Sequence, residues 1–285
     1  MMDGSQLLTL DAADFARSFS REPFLVGHQL ADHPLFTMDR LLELCRTLPS
    51  ESVEYNAGDI PKALRNEETP LNGLSAEETV RRIAECKSWL VMKHVEADPA
   101  YRELLDDCLD AIAPLTEPIA PGMASRQAFI FVTSPGSVTP YHIDPEHNFL
   151  LQVRGEKHVT MFDGRDRSIL RETDLEQMYM DAGRNLPFEE EWEQRAWKFT
   201  LQPGEGLHFP VTYPHYVRNG EAVSISLSIT FRTPDLDRRR MLYRRNAAKR
   251  AAGQQPTPVG SRPLVDSLLW QSTRVLRKVG LGGDR

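Results

Sequence analysis

Ser137-Val138-Thr139-Pro140-Tyr141-His142-Ile143-Asp144-Pro145-Glu146-His147-Asn148-Phe149-Leu150-Leu151-Gln152-Val153-Arg154-Gly155-Glu156-Lys157 is the stretch from which the rest of the chain can be read. Residues i and i+2 of an extended segment share a face, so His142 and Asp144 project the same way. An imidazole and a carboxylate on one face supply two of three ligands in the two-histidine, one-carboxylate triad. That triad binds Fe(II) from one side and leaves three positions open for a co-substrate and O2. The third ligand must be a histidine from a later strand. Two stand in range: His208, inside a strand between Leu207 and Phe209, and His215, just past Pro214. The plainer reading of the pair is a turn histidine and a turn aspartate ahead of Pro145.

The segment then folds back on itself. Residues 144–148 are turn-rich, 149–153 read as a strand, Arg154-Gly155 as a turn, and 157–162 as a second strand. Such a hairpin returns Lys157 across the mouth that His142 faces. An inward ammonium beside a metal with open positions suits a dicarboxylate, one end on the metal and the other on Lys157 and a hydroxyl such as Thr139. Asn148 either reaches the same co-substrate or stabilises the turn. Ser226, Ser228 and Thr230 share one face of a later strand and are placed to line the cavity. His147 and His158 read as surface or turn residues.

These motifs together resemble the cupin-like JmjC family of Fe(II)/2-oxoglutarate oxygenases, in particular its asparaginyl-hydroxylase-like branch. The residues that carry the resemblance are Thr139-Pro140-Tyr141-His142-Ile143-Asp144, Asn148-Phe149 and Gln152-Val153-Arg154-Gly155-Glu156-Lys157, followed by Pro203-Gly204-Glu205, Phe209-Pro210 and Pro214-His215. It spans roughly residues 125–233. The resemblance implies Fe(II) held by His142, Asp144 and His215, because His215 falls where the family's distal ligand falls. It implies 2-oxoglutarate held by Lys157 and Thr139 with Asn148 nearby, and hydroxylation of a protein side chain or a small molecule. The alternative is a cupin-like binding or regulatory protein without turnover.

Fold class follows from the order of patterns. Residues 1–120 are mainly helical: Thr37 caps one helix, Ser75-Ala76-Glu77-Glu78 forms a capping box for a second, and a third is expected to stop before Pro114. Short strands are expected at 24–26 and 89–92. Residues 121–233 carry many short strands divided by Pro/Gly turns. Residues 234–285 are helical, with a linker at 253–261. Helix, then strands, then helix predicts a double-stranded β-helix (cupin, jelly-roll) barrel with a helical N-terminal region and C-terminal helices.

The 285 residues suffice for one substantial core, and 40% hydrophobic with 26% charged residues is ordinary for a globular protein. No apolar run is long enough to span a bilayer. Met1-Met2-Asp3-Gly4 shows no basic-then-apolar leader, and Cys45, Cys86 and Cys108 form no disulfide pattern; both features point to the cytoplasm. From Pro234 onward twelve Lys/Arg face four Asp/Glu, a net of +8, so the remainder carries −15 of the total −7. The acidic body and the lack of a recognition motif argue against a nucleic-acid partner for the arginines of 238–250. Leu264, Leu268, Leu269, Leu276 and Val279 give the last helix an apolar face that must be covered, by this chain or by a second copy in a homodimer.

Overall fold

The computed structural model describes residues 7–63 and 70–278. Two antiparallel sheets form its centre. The larger has eight strands in the order β1 (Leu8–Thr9), β2 (Phe24–His28), β10 (Glu205–Phe209), β7 (His147–Arg154), β12 (Ser224–Arg232), β5 (Ala124–Thr133), β4 (Ser88–Lys93) and β3 (Val53–Ala57). The smaller runs β6 (Val138–His142), β11 (His215–Asn219), β8 (Lys157–Met161) and β9 (Trp197–Leu201). The mainly β, cupin-like architecture expected from the sequence is the one observed.

Strand alternation decides what each layer holds. β12 reads Ser-Ile-Ser-Leu-Ser-Ile-Thr-Phe. Its Ile225, Leu227, Ile229 and Phe231 join the core beneath the N-terminal helices. Its Ser224, Ser226, Ser228 and Thr230 therefore face the opposite way, between the sheets. β7 repeats the pattern, with Phe149, Leu151 and Val153 toward the helices and Leu150 in the cluster shared by the two sheets. That shared cluster joins Leu150, Leu207 and Phe209 of the large sheet to Val159, Met161, Leu201 and Val217 of the small one. Every residue of β12 through Phe231 is buried because helices cover one face and the second sheet the other.

The helices supply the outer layers. α1 (Ala12–Ser18), α2 (Met38–Thr47) and α4 (Pro99–Thr116) contribute Phe15, Leu41, Leu44, Leu105 and Ile112 to the large-sheet core. Each such side chain is worth roughly 1.5–3 kcal/mol of transfer free energy. Thr37 caps α2, and Ser75 and Glu78 form the expected capping box of α3 (Ala76–Arg81). α4 continues through Pro114 rather than stopping before it. A proline in the last turn forfeits one hydrogen bond, and burial of Ile112 and Thr116 outweighs that loss. On the far side, α5 (Glu172–Tyr179) and α6 (Pro234–Ala251) close a second core around Tyr141, Phe162, Tyr179 and Tyr243.

The amphipathic helix at the C-terminus is α7 (Pro263–Lys278). Leu264 and Leu268 are 82% and 66% exposed, so the described residues leave that part of the face uncovered. Val279 and the side chain of Leu276 lie outside the described residues. No helix among the described residues is long and apolar enough to cross a membrane.

The turn between β7 and β8 depends on Gly155. Its φ is +70°, and an added Cβ would lie 2.4 Å from the Val223 carbonyl oxygen. Gly155→Ala should therefore destabilise the protein by more than about 1 kcal/mol. A urea midpoint equal to that of the wild type would show that this turn tolerates a side chain.

Candidate metal centre

β6 and β11 pair antiparallel, and His142 lies directly opposite His215. Their rings are 4.2 Å apart between centroids. Asp144 follows the end of β6, and its carbonyl accepts the Thr212 N–H at 2.8 Å from the left-handed turn that leads into β11. Asp144 Oδ2 lies 3.7 Å from His142 Nε2 and 3.6 Å from His215 Nε2. One ligand atom from each of the three residues falls within 4.8 Å of the others, and this is the cluster among the described residues that could hold a metal ion.

The proton positions suit ligation. His142 Nδ1 faces the Pro140 carbonyl at 2.7 Å and His215 Nδ1 faces the Tyr213 carbonyl at 2.9 Å. A carbonyl only accepts, so each Nδ1 carries the hydrogen and each Nε2 is left with a lone pair. Burial lowers the pKa of both rings, that of His215 to about 3, with His142 adding repulsion at His215. Both are therefore neutral near pH 7, the ligating form. Burial acts to raise the Asp144 pKa, but Arg184, His142, His215 and the Arg184 hydrogen bond prevail and lower it to about 2. The donor set is two neutral imidazoles and one carboxylate, which fits a divalent first-row metal such as Fe(II).

A cavity of about 270 Å³ opens beside this cluster. Thr139, His142, Asp144, Asn148, Ser228 and Thr230 line it, with Trp89, Phe129 and Phe131 as its aromatic wall. Asn148 belongs to β7 rather than to a turn, and its Oδ1 accepts from Ser228 Oγ at 2.7 Å. Ser226 is turned to Gln152 instead, donating to Oε1 at 2.7 Å. The Trp89 indole N–H is buried without a partner among the described residues. Lys157 does not line the cavity itself. Its ammonium lies 5.7 Å from the centroid of the Phe131 ring, which does. Lys157 is 4% exposed, and burial lowers its pKa to about 7. A buried ammonium beside a polar pocket fits the remote carboxylate of a dicarboxylate ligand.

His208 is fully buried and points the other way. It stacks on Phe19 and meets the Phe149 ring at a tilt, accepts the Ser20 N–H at 3.2 Å and donates to the Asn148 carbonyl at 3.1 Å. His158 is half-exposed at the surface, as expected, and its Nε2 lies 2.9 Å from Glu156 Oε1. His147 is not a surface residue: it is 3% exposed and stacks between Phe19 and Phe231. Its turn-like neighbours concealed this, because Phe19 reaches it from far away in sequence. Arg184 and Asn185, also in the cavity wall, belong to no motif that marks them in the sequence. They sit in an aperiodic loop, and only a pairing formed in the fold brings them here.

Lys157 gives the centre a pH signature. Unfolded, it keeps its proton up to about 10.5; folded, only up to about 7. Between those values the unfolded state binds more protons, so stability rises with pH across that interval. Lys157→Met should flatten that rise in urea unfolding without co-substrate. An unchanged pH dependence would mean that Lys157 is charged and paired in the folded protein.

Proteins of known character resemble this chain. Jumonji C domain-containing protein 5 of Drosophila melanogaster is 31% identical over 136 residues, which is 46% of this chain and 33% of that protein. Lysine-specific demethylase JMJ30 of Arabidopsis thaliana is 34% identical over 102 residues, 34% of this chain and 23% of that protein. The chain thus spans a third or less of the length of these relatives. Among solved structures, YcfD, a ribosomal oxygenase from Escherichia coli, in complex with cobalt and 2-oxoglutarate, superposes with a TM-score of 0.52 at 15% identity. That match covers 95% of this chain and 68% of that one, and it bears on the fold alone. The cupin-like domain profile matches residues 49–237, and by that match the chain belongs to the cupin-like domain family.

Proposed function

We propose that this protein is an Fe(II)/2-oxoglutarate-dependent oxygenase that hydroxylates a protein side chain or a small molecule. The observation that carries the reading is the convergence of His142, Asp144 and His215 beside a polar cavity with a buried lysine behind its wall. The name of one sequence relative, a lysine-specific demethylase, favours the protein side chain. In this reading residues 121–233 are the catalytic barrel, 1–120 a region packed on it, and 234–285 a basic helix, linker and amphipathic helix. Three cysteines, none in a disulfide, fit a reducing cytoplasm.

When bound, Fe(II) with 2-oxoglutarate supplies the O2-dependent oxidation of a C–H bond. The chain supplies everything else. His142 and His215 present neutral Nε2 atoms, and Asp144 offsets part of the metal's charge. Lys157 and Thr139 fix the far carboxylate of the co-substrate, and Asn148 braces the wall through Ser228. Trp89, Phe129 and Phe131 keep water from one side of the cavity.

Anaerobic Fe(II) titration of the full chain tests the ligand set. Wild type and His208→Ala should bind one equivalent per folded molecule, and His142→Ala/His215→Ala should bind none. Tight stoichiometric binding by the double variant would sink the assignment. Lys157→Ala should keep the metal and lose about 1.5–3 kcal/mol of 2-oxoglutarate affinity, the value of a hydrogen bond to a charged group. A succinate assay on cell extract then separates turnover from a binding protein that only holds both ligands.

The exposed Leu264, Val265 and Leu268 of α7 favour a homodimer built on this helix. Sedimentation should give a dimer for wild type and a monomer for Leu264→Asp/Leu268→Asp. A monomeric wild type excludes the dimer. Salt-sensitive DNA binding by wild type would assign the α6 arginines to nucleic acid, against the present reading.

A further inference from the structure

The loop after α5 returns to the metal centre and pairs with it. The Ile143 N–H donates to the Arg184 carbonyl at 3.2 Å, and the Leu186 N–H donates to the Tyr141 carbonyl at 2.9 Å. Between them Asn185 forms an isolated antiparallel bridge with His142. Residues 184–186 thus act as one more short strand beside the end of β6. This pairing aims the Arg184 side chain at Asp144, and its Nη1 donates to Asp144 Oδ1 at 2.7 Å. The two carboxylate oxygens are therefore divided: Oδ1 is taken by the guanidinium, and Oδ2 faces both histidine Nε2 atoms. The loop is itself anchored. Glu193 pairs with Lys62 at 3.1 Å and Lys198 at 2.8 Å and accepts from the Tyr216 hydroxyl.

Resting on the metal-site reading above, we propose that Arg184 is a positioning residue that confines Asp144 to ligation through one oxygen. A carboxylate with one oxygen fixed on an arginine cannot rotate to present both. A carboxylate with both oxygens free can turn and take a coordination position that the co-substrate needs. Arg184 acts on the metal only through Asp144 and through the backbone of Ile143, so it is not itself a ligand.

Co(II) binding to the full-length protein, followed by its visible absorption, tests this without turnover. Wild type should give a spectrum that changes when 2-oxoglutarate is added. Arg184→Ala should weaken Co(II) binding about 10–100-fold, the loss typical of residues that orient a metal ligand. It should also alter the Co(II) spectrum and reduce its response to 2-oxoglutarate. Arg184→Lys, which keeps the charge but not the fork, should restore both in part. Arg184→Gln retains bulk and a donor. Its circular dichroism and urea midpoint, taken beside its Co(II) spectrum, separate a general folding defect from loss of the carboxylate clamp. Co(II) affinity and spectrum unchanged in Arg184→Ala would overturn the proposal while leaving the triad in place. Failure of wild type itself to bind Co(II) would overturn the triad, and the clamp with it.

Discussion

The direct pairing of His142 with His215 across β6 and β11 is the constraint on which the site depends. An antiparallel register fixes which side chains stand opposite one another, and a slip by one residue would turn each histidine to the other face. That register is held from both sides. β8 pairs with β11 along its whole length, from His215 against Met161 to Asn219 against Lys157. One strand therefore aligns the distal histidine with His142 on one neighbour and brings the Lys157 strand alongside on the other. The two histidines of the candidate metal centre and the buried ammonium are set by the same ladder of hydrogen bonds.

Parity also explains why only one of the two late histidines reaches the cluster. Leu207 and Phe209 of β10 point into the space between the sheets, so His208 must point toward the helices. There it holds the Ser20 N–H, with burial lowering its pKa to about 3. His147 is bound in the same way, its Nδ1 3.3 Å from Ser20 Oγ. These two neutral histidines fasten the end of α1 to the large sheet. They serve the fold, whereas His142 and His215, of equal chemistry, face the cavity side.

Much of this was legible in the sequence because strands encode facing by alternation. The Ser226–Ser228–Thr230 face and the shared direction of His142 and Asp144 follow from a period of two. The Arg154-Gly155 turn is where the sequence places it, but it closes no hairpin: it carries the chain from β7 of the large sheet to β8 of the small one, and the two strands pair with other neighbours. Two kinds of feature were not legible. His147 looked like a turn residue because Pro145 and Glu146 precede it, yet burial by Phe19 decided its place. Arg184 stands 40 residues from Asp144 in sequence, and the pairing that joins them consists of one bridge and two hydrogen bonds. A contact so short leaves no periodic trace, although it touches the site more directly than most of the barrel.

The polar interior between the sheets is largely closed on itself. Gln152 donates to the Arg154 and Gly155 carbonyls and to Ser224 Oγ, and accepts from Ser226. Ser228 donates to Asn148, and Asn219 donates to Thr133. Buried groups satisfied in this way need no ligand, and they rigidify the wall. Against that background Lys157 stands out. Its neighbours offer an aromatic ring, and burial already draws its pKa toward neutrality. An ammonium kept in such surroundings costs stability unless an anion arrives to share its proton. The same burial makes the protein less stable at neutral than at alkaline pH, and an anion that reached Lys157 would offset that cost.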